Sequence, residues 1–153
     1  MEKLAFKKKV MEEAIKHQES IVEDFRNRIK EIREGEQQPQ DETHEYDQQG
    51  QEEGTAMVIN RMAQELNFVI TELDFLKQMK TSGNLLEEVT LGAIVETDKM
   101  TFFPSVSLEQ FKVGDNDLFG ISREAPIYGE MKGKKKGDTF SMKGQSYKII
   151  DVF

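Results

Sequence analysis

Three carboxylates lying close together in the chain, Asp41, Glu42 and Glu45, are the side chains of this sequence best suited to chemistry. Carboxylates crowded without counter-charges repel one another, so a cation or a basic partner that offsets them is bound favourably. If the segment is helical, the three sit within about one turn, and Glu42 and Glu45, at i and i+3, share a side. Two such oxygen donors can hold part of the shell of one Mg²⁺ and leave positions for water and phosphate oxygens. The acids lack the Asp-x-Asp-x-Asp-Gly order of an EF-hand, and His44 reads as a solvated histidine. By composition alone the same segment reads as a solvated, partly disordered loop. The residues leave both readings open.

These acids belong to a longer run. From Glu34 to Gly54 there are eight acids and no Lys or Arg in 21 residues. The whole chain of 153 residues has 29 acids against 21 bases, a formal net charge of −8, so this one segment accounts for all of it. A net negative charge argues against gripping bare DNA or an anionic membrane through bulk electrostatics. The chain has no cysteine, which excludes disulfides, thiolate metal sites and a cysteine nucleophile. It has two histidines and no Ser-His-Asp or phosphate-loop arrangement, so a self-contained hydrolase is not expected. Met1 to Val10 holds five charges and no apolar run, unlike a signal peptide. No stretch approaches the roughly 18 apolar residues of a membrane span. A soluble, cytoplasmic protein is expected.

Two long helices must position the acids. Leu4, Met11, Gln18, Phe25 and Ile32 recur every seven residues, with Ala14 and Ile21 between them and Ile15, Val22 and Ile29 widening the stripe. This heptad seam predicts a helix over about 5–33, with one polar seam position at Gln18 and Gly35 as its C-terminal cap. Ile59, Met62, Leu66, Val69, Leu73 and Leu76 predict a second over about 55–80, with Thr55 as its cap. Two seams joined by a turn-rich segment imply an antiparallel hairpin, each arm roughly 40 Å long at about 1.5 Å per residue. The acidic segment, about 34–54, then forms its tip. The hairpin occupies 1–84.

After Leu85 the period changes. Val89, Leu91, Ala93 and Val95 alternate as in a half-buried strand, and Phe102-Phe103 with Val106-Leu108 read as a second strand with Pro104 at a bulge or edge. Leu118 to Ser122 reads as a third strand and Pro126 to Lys132 as a short helix starting on its proline. Thr139 to Met142 and Tyr147 to Val152 form a hairpin turned by Lys143-Gly144. The expected second domain, 85–153, is a sheet of about five strands with one short helix. The fold class is α+β. Lys132, Lys134, Lys135 and Lys136 read as a solvated turn, or in a minority reading as contact with an acidic partner. Lys7 to Lys9 read as the polar face of the first helix, and the methionines as core.

This layout resembles the Gre family of bacterial transcription elongation factors, the GreA/GreB-like transcript-cleavage factors. The run from Ile121 through Ser122-Arg123-Glu124-Ala125-Pro126 to Gly133, continuing to Gly137-Asp138, is similar to that family's Ile-Ser-x-x-Ser-Pro-hydrophobic stretch and its later Gly-Asp. Glu42-Thr43-His44-Glu45-Tyr46 resembles its Glu-Asn-Ala-Glu-Tyr. The resemblance implies a coiled-coil hairpin followed by a small FKBP-like antiparallel β domain. It further implies an accessory factor, not an enzyme, which docks on RNA polymerase at the secondary channel through Glu124, Ala125 and Pro126. Its tip acids would assist cleavage of backtracked transcript by helping to hold a Mg²⁺ shared with the polymerase active site, with no metal bound tightly by the factor alone. Nascent RNA and DNA would be touched only indirectly, no membrane is involved, and a monomer is expected. Glu42 matches the second acid of the family's Asp-x-x-Glu. Pro39 stands where the first Asp would be, so Asp41 substitutes if the loop shifts, or Glu42 and Glu45 pair. Ala125 stands for the family's usual Ser.

Two rival readings follow. One is a non-cleaving regulator that occupies the same channel. The other is a peptidyl-prolyl isomerase, from the FKBP-like second half, although the chain has no Trp to form the aromatic floor of such a pocket.

Overall fold

The computed structural model describes residues 2–36, 45–80 and 84–153, with the side chains of 36, 45–53 and 80 excepted. Asp41, Glu42, Pro39 and His44 lie outside the described residues. The chain is α+β: two long helices, α1 (Glu2–Glu36) and α2 (Glu45–Lys80), precede a sheet domain with one short helix. Both helices outrun the sequence expectation. Gly35 lies inside α1 and does not cap it, and α2 starts ten residues before Thr55, with Gly50 and Gly54 in its interior. An interior glycine costs only about 1 kcal/mol against alanine, so Glu and Gln neighbours carry the helix through it.

Two compact units divide the chain: Gln18–Leu73, and Met1–His17 with Asp74–Phe153. In the first, the helices run antiparallel. Gln18 meets Val69, while Ile29 and Arg33 share a shallow groove with Ala63 and Leu66, so numbering rises on one arm as it falls on the other. Val22 and Ile29 are buried on α1, and Met62, Leu66 and Val69 are half-buried on α2. Gln18 is the polar seam position expected from the heptads. It is buried, and its Nε2 donates to the Val69 carbonyl at 2.9 Å.

In the second unit, six strands stand in the order β3-β4-β2-β1-β6-β5. They are β1 (Val95–Thr97), β2 (Thr101–Ser105), β3 (Leu108–Val113), β4 (Asn116–Ser122), β5 (Thr139–Met142) and β6 (Gln145–Val152), with α3 (Pro126–Met131) between β4 and β5. All neighbours are antiparallel except β2 and β4, which run parallel from Thr101↔Leu118 to Ser105↔Ser122. The segment expected as the first strand is mostly a turn. Val89 pairs with Gly133 and Lys134, the chain reverses at Gly92 (φ +92°), and only Val95 onward joins the ladder. The single strand expected across Phe102 to Leu108 is two strands. Pro104 sits inside β2, beyond the end of its pairing with β1 at Phe102, where its missing N–H breaks no ladder bond and its carbonyl accepts from Gly92.

The two faces of the sheet have different covers. On one, Val95, Phe102, Phe140, Tyr147 and Ile149 join Tyr128 and Met131 of α3 in a core, with Phe140 and Tyr147 stacked at 5.0 Å between centroids. The bases of the long helices meet the remainder of the domain: Phe6 lies against Phe153, His17 against Phe111, and the Lys3 ammonium reaches the Asp151 carboxylate at 2.7 Å. That double partnership explains why Val10 and Ala14 are fully buried while Ile21 and Phe25, further along the same seam, are half-buried. No helix among the described residues is long and apolar enough to cross a membrane.

Candidate functional site

Two places in the fold carry the residues singled out by the sequence. The first is the connection between the helices. α1 ends at Glu36 and α2 begins at Glu45, so Asp41 and Glu42 fall in the link between antiparallel arms, outside the described residues. Glu45 is the first residue of α2, three positions after Glu42. The donor set is made only of carboxylates, hard oxygen ligands of the kind that suit Mg²⁺. Pro39 offers no side-chain donor. Among the described residues, no group of three or more His, Asp or Glu is placed to hold a metal ion.

The second is the turn from β4 into α3, which brings Glu124, Ala125 and Pro126 together. β4 ends at Ser122, and the Ala125 N–H donates back to the Ser122 carbonyl at 3.0 Å, closing a tight turn. Ala125 occupies the N-cap position of α3 with an extended backbone (φ −65°, ψ 134°), and Pro126 follows in the first turn. Proline fits there because its fixed φ is helical and its absent N–H would have been unpaired. The Ala125 carbonyl accepts from Tyr128 and Gly129, but alanine has no side-chain oxygen to cap the free N–H groups. Glu124 and Pro126 are exposed and Ala125 is half-buried, so the turn presents a carboxylate and a rigid apolar ring to solvent.

The sequence reading missed what anchors this turn. The Arg123 guanidinium lies over the ring of Phe75 on α2, 5.3 Å from its centroid, a cation–π contact that ties the loop to the base of the second helix. Phe75 falls between seam positions Leu73 and Leu76, and its spacing alone marks it as neither core nor contact.

The later Gly137-Asp138 pair has a structural task. Gly137 adopts φ +92°, and Asp138 Oδ2 accepts from the Lys135 N–H at 2.8 Å, while its own N–H donates to the Lys135 carbonyl. The lysine cluster is therefore held in a defined turn, with Lys132, Lys135 and Lys136 exposed and Lys134 half-buried. Lys7 departs from expectation. It is half-buried, not on the polar face, and its ammonium donates to the Asn84 carbonyl at 2.8 Å. The signal was present in the spacing, since Lys7 and Lys8 are three and four residues from Leu4 and Met11.

No family model matches the sequence, and no curated protein matches it. Among solved structures, the chain is similar to GreA factor homolog 1 of Thermus thermophilus, at 18% sequence identity and a TM-score of 0.33, over 91% of this chain and 94% of that one.

Proposed function

We propose that the protein is an accessory factor of RNA polymerase that enters the secondary channel and brings carboxylates to the active site. The observation that carries this reading is the acidic segment itself. Eight acids without one Lys or Arg occupy 34–54, the region where antiparallel helices connect. A two-helix arm is narrow, and acids concentrated where it turns can act beside nucleic acid only when cations or a basic protein wall offset their charge. A polymerase channel with its active-site Mg²⁺ provides both. In this reading Asp41, Glu42 and Glu45 would contribute oxygen ligands to that shared Mg²⁺, and the two-metal site supplies an activated water for phosphodiester hydrolysis. Glu124, Ala125 and Pro126 would dock the sheet domain at the channel mouth, with Arg123 and Phe75 holding the turn in place.

Addition of the protein to a backtracked elongation complex tests this directly. The RNA is expected to shorten only when polymerase is present, and the double substitution Asp41→Ala with Glu42→Ala is expected to abolish the shortening while leaving polymerase binding intact. Unchanged cleavage by the double variant would rule out carboxylate delivery.

A second reading is favoured by one residue. Pro39 stands where the resemblance calls for the first acid, and this leaves fewer well-placed ligands. A factor that occupies the channel without promoting cleavage would alter initiation or elongation and yield no RNA shortening at any Mg²⁺ concentration.

A further inference from the structure

An apolar concavity lies at the base of the long helices, remote in sequence from both places above. It has a volume of about 540 Å³, within the range of small-molecule sites. Leu4 and Met11 of α1, Met79 of α2, and Leu86, Leu91 and Phe103 of the sheet domain form its apolar walls. The wall is flat at Gly92, where the left-handed backbone (φ +92°) lets the chain turn and a Cβ would meet Met79 Cε at 3.3 Å. Leu4 stays 42% exposed at the rim, an apolar side chain left in water by the fold.

The charge of the lining is one-sided. Lys7 and Lys8 contribute two ammonium groups, and no carboxylate is among the described lining residues. Lys7 is half-buried, and one of its three donors goes to the Asn84 carbonyl. Burial also pushes its pKa below the usual lysine value, which marks a cation short of solvation. A cation in that condition gains more from an anion than a solvated one does, because part of its desolvation cost has already been met by folding.

We infer that this cleft is a binding site for a small amphipathic anion, with an apolar body between Met11, Met79 and Phe103 and a carboxylate or sulfonate head on Lys7 and Lys8. Nothing in the polymerase reading requires such a ligand, and the site stands or falls without it. The bound molecule would touch α1, α2 and the sheet domain at once.

The test uses the full chain alone and anilinonaphthalene sulfonate, whose apolar rings and single anionic group match the cleft. Its fluorescence is expected to rise saturably with one site per chain. Decanoate is expected to displace it, and decanol at equal concentration is not. Lys7→Gln should weaken binding about tenfold, the fold-change of one charge-assisted hydrogen bond. Leu4→Trp, a change at an exposed rim position, should block entry with the far-ultraviolet circular dichroism unchanged. Absence of saturable binding overturns the site. Displacement by decanol as good as by decanoate, or unaltered binding by both Lys7→Gln and Lys8→Gln, overturns its anionic ligand. Undiminished binding by Leu4→Trp overturns its location.

Discussion

Replacing Gly120 by alanine isolates one packing constraint on the strand that leads into the turn of Glu124, Ala125 and Pro126. Gly120 lies in β4 opposite Leu108, where the pairing of β3 and β4 shifts register before Phe111. A Cβ built there would sit 2.7 Å from Leu108 Cβ, 2.7 Å from the Val106 carbonyl oxygen and 3.0 Å from the Leu108 nitrogen. Carbon atoms rest at about 3.5–4.0 Å, so the first overlap is roughly 0.8 Å or more. None of the three atoms lies at the end of a flexible side chain, so no rotamer change relieves them. β4 cannot retreat either, because five residues of β2 hold its other edge from Thr101↔Leu118 to Ser105↔Ser122. Overpacking of this kind costs about 1–3 kcal/mol, and the rigid neighbours place Gly120→Ala at the top of that range. For a unit of this size each kcal/mol moves Tm by about 4–8 °C, so a loss of about 12–24 °C is expected in a thermal melt, with a lower urea midpoint. Gly129→Ala is the control. Gly129 is exposed in α3 with open space around it, and there the same change should be neutral or stabilising by up to about 1 kcal/mol. A loss below about 0.5 kcal/mol for Gly120→Ala would refute the reasoning.

Four further outcomes can be measured in the same denaturation assays. Ala125→Ser supplies the oxygen that α3 lacks at an N-cap already in the extended conformation, and should add about 0.5–1.5 kcal/mol; no gain would mean that the turn forbids the capping bond. Lys143 has φ 51° beside Gly144 in the two-residue hairpin loop, so Lys143→Asn should recover about 0.5–1 kcal/mol of the left-handed strain, and a destabilised variant would contradict it. Gln18 Oε1 is buried without a hydrogen-bond partner among the described residues. An unpaired acceptor costs about 1–3 kcal/mol, so Gln18→Leu should raise the urea midpoint despite losing the bond to Val69, and a loss above about 1 kcal/mol would count against this. Asp151 gives the pH dependence. Burial by itself would raise its pKa, but the Lys3 ammonium, the Val152 N–H and Lys136 outweigh it and hold the carboxyl below its ordinary value. The unfolded chain therefore takes up the proton first as acid is added. The contribution, under about 1 kcal/mol for a partly exposed pair, is present above the unfolded pKa and fades as pH falls through the folded one. Asp151→Asn should flatten stability below about pH 4, and an unchanged acid slope would remove the ion pair from the account.

The helical half was legible because a seven-residue repeat is local and redundant. Losing one position, Gln18, to a polar residue does not erase it, and both arms are found where their stripes lie. Their ends were not legible. Gly35 read as a stop and Thr55, after Gly54, as a start, yet a glycine flanked by good helix formers is only a weak penalty. In the sheet domain, the closing hairpin and its Lys143-Gly144 turn were plain, since alternation and a two-residue loop are both short-range signals. The stretch from Val89 to Ile94 alternates as a strand should, yet its bonds go to three different places: Val89 to the turn after α3, Gly92 to Pro104 and Ile94 to Phe153, because strand pairing depends on which partner edge arrives. Of the candidate site, Glu124, Ala125 and Pro126 do share one exposed turn, while the Phe75 contact that anchors it joins residues almost fifty positions apart.

The sequence by itself determined the α+β order of elements, the concentration of charge in 34–54 and the identity of the turn that starts α3, because each depends on neighbours within a few residues. Only the tertiary structure decided that β2 and β4 run parallel, that Gly120 must have no side chain and that Lys7 lies half-buried beside an apolar cleft. These follow from distant segments meeting in space, where exclusion of volume and loss of water act on pairs that no local pattern joins. The net charge of −8 is a property of composition alone, and the sequence already places all of it in 34–54, beside a remainder balanced in charge.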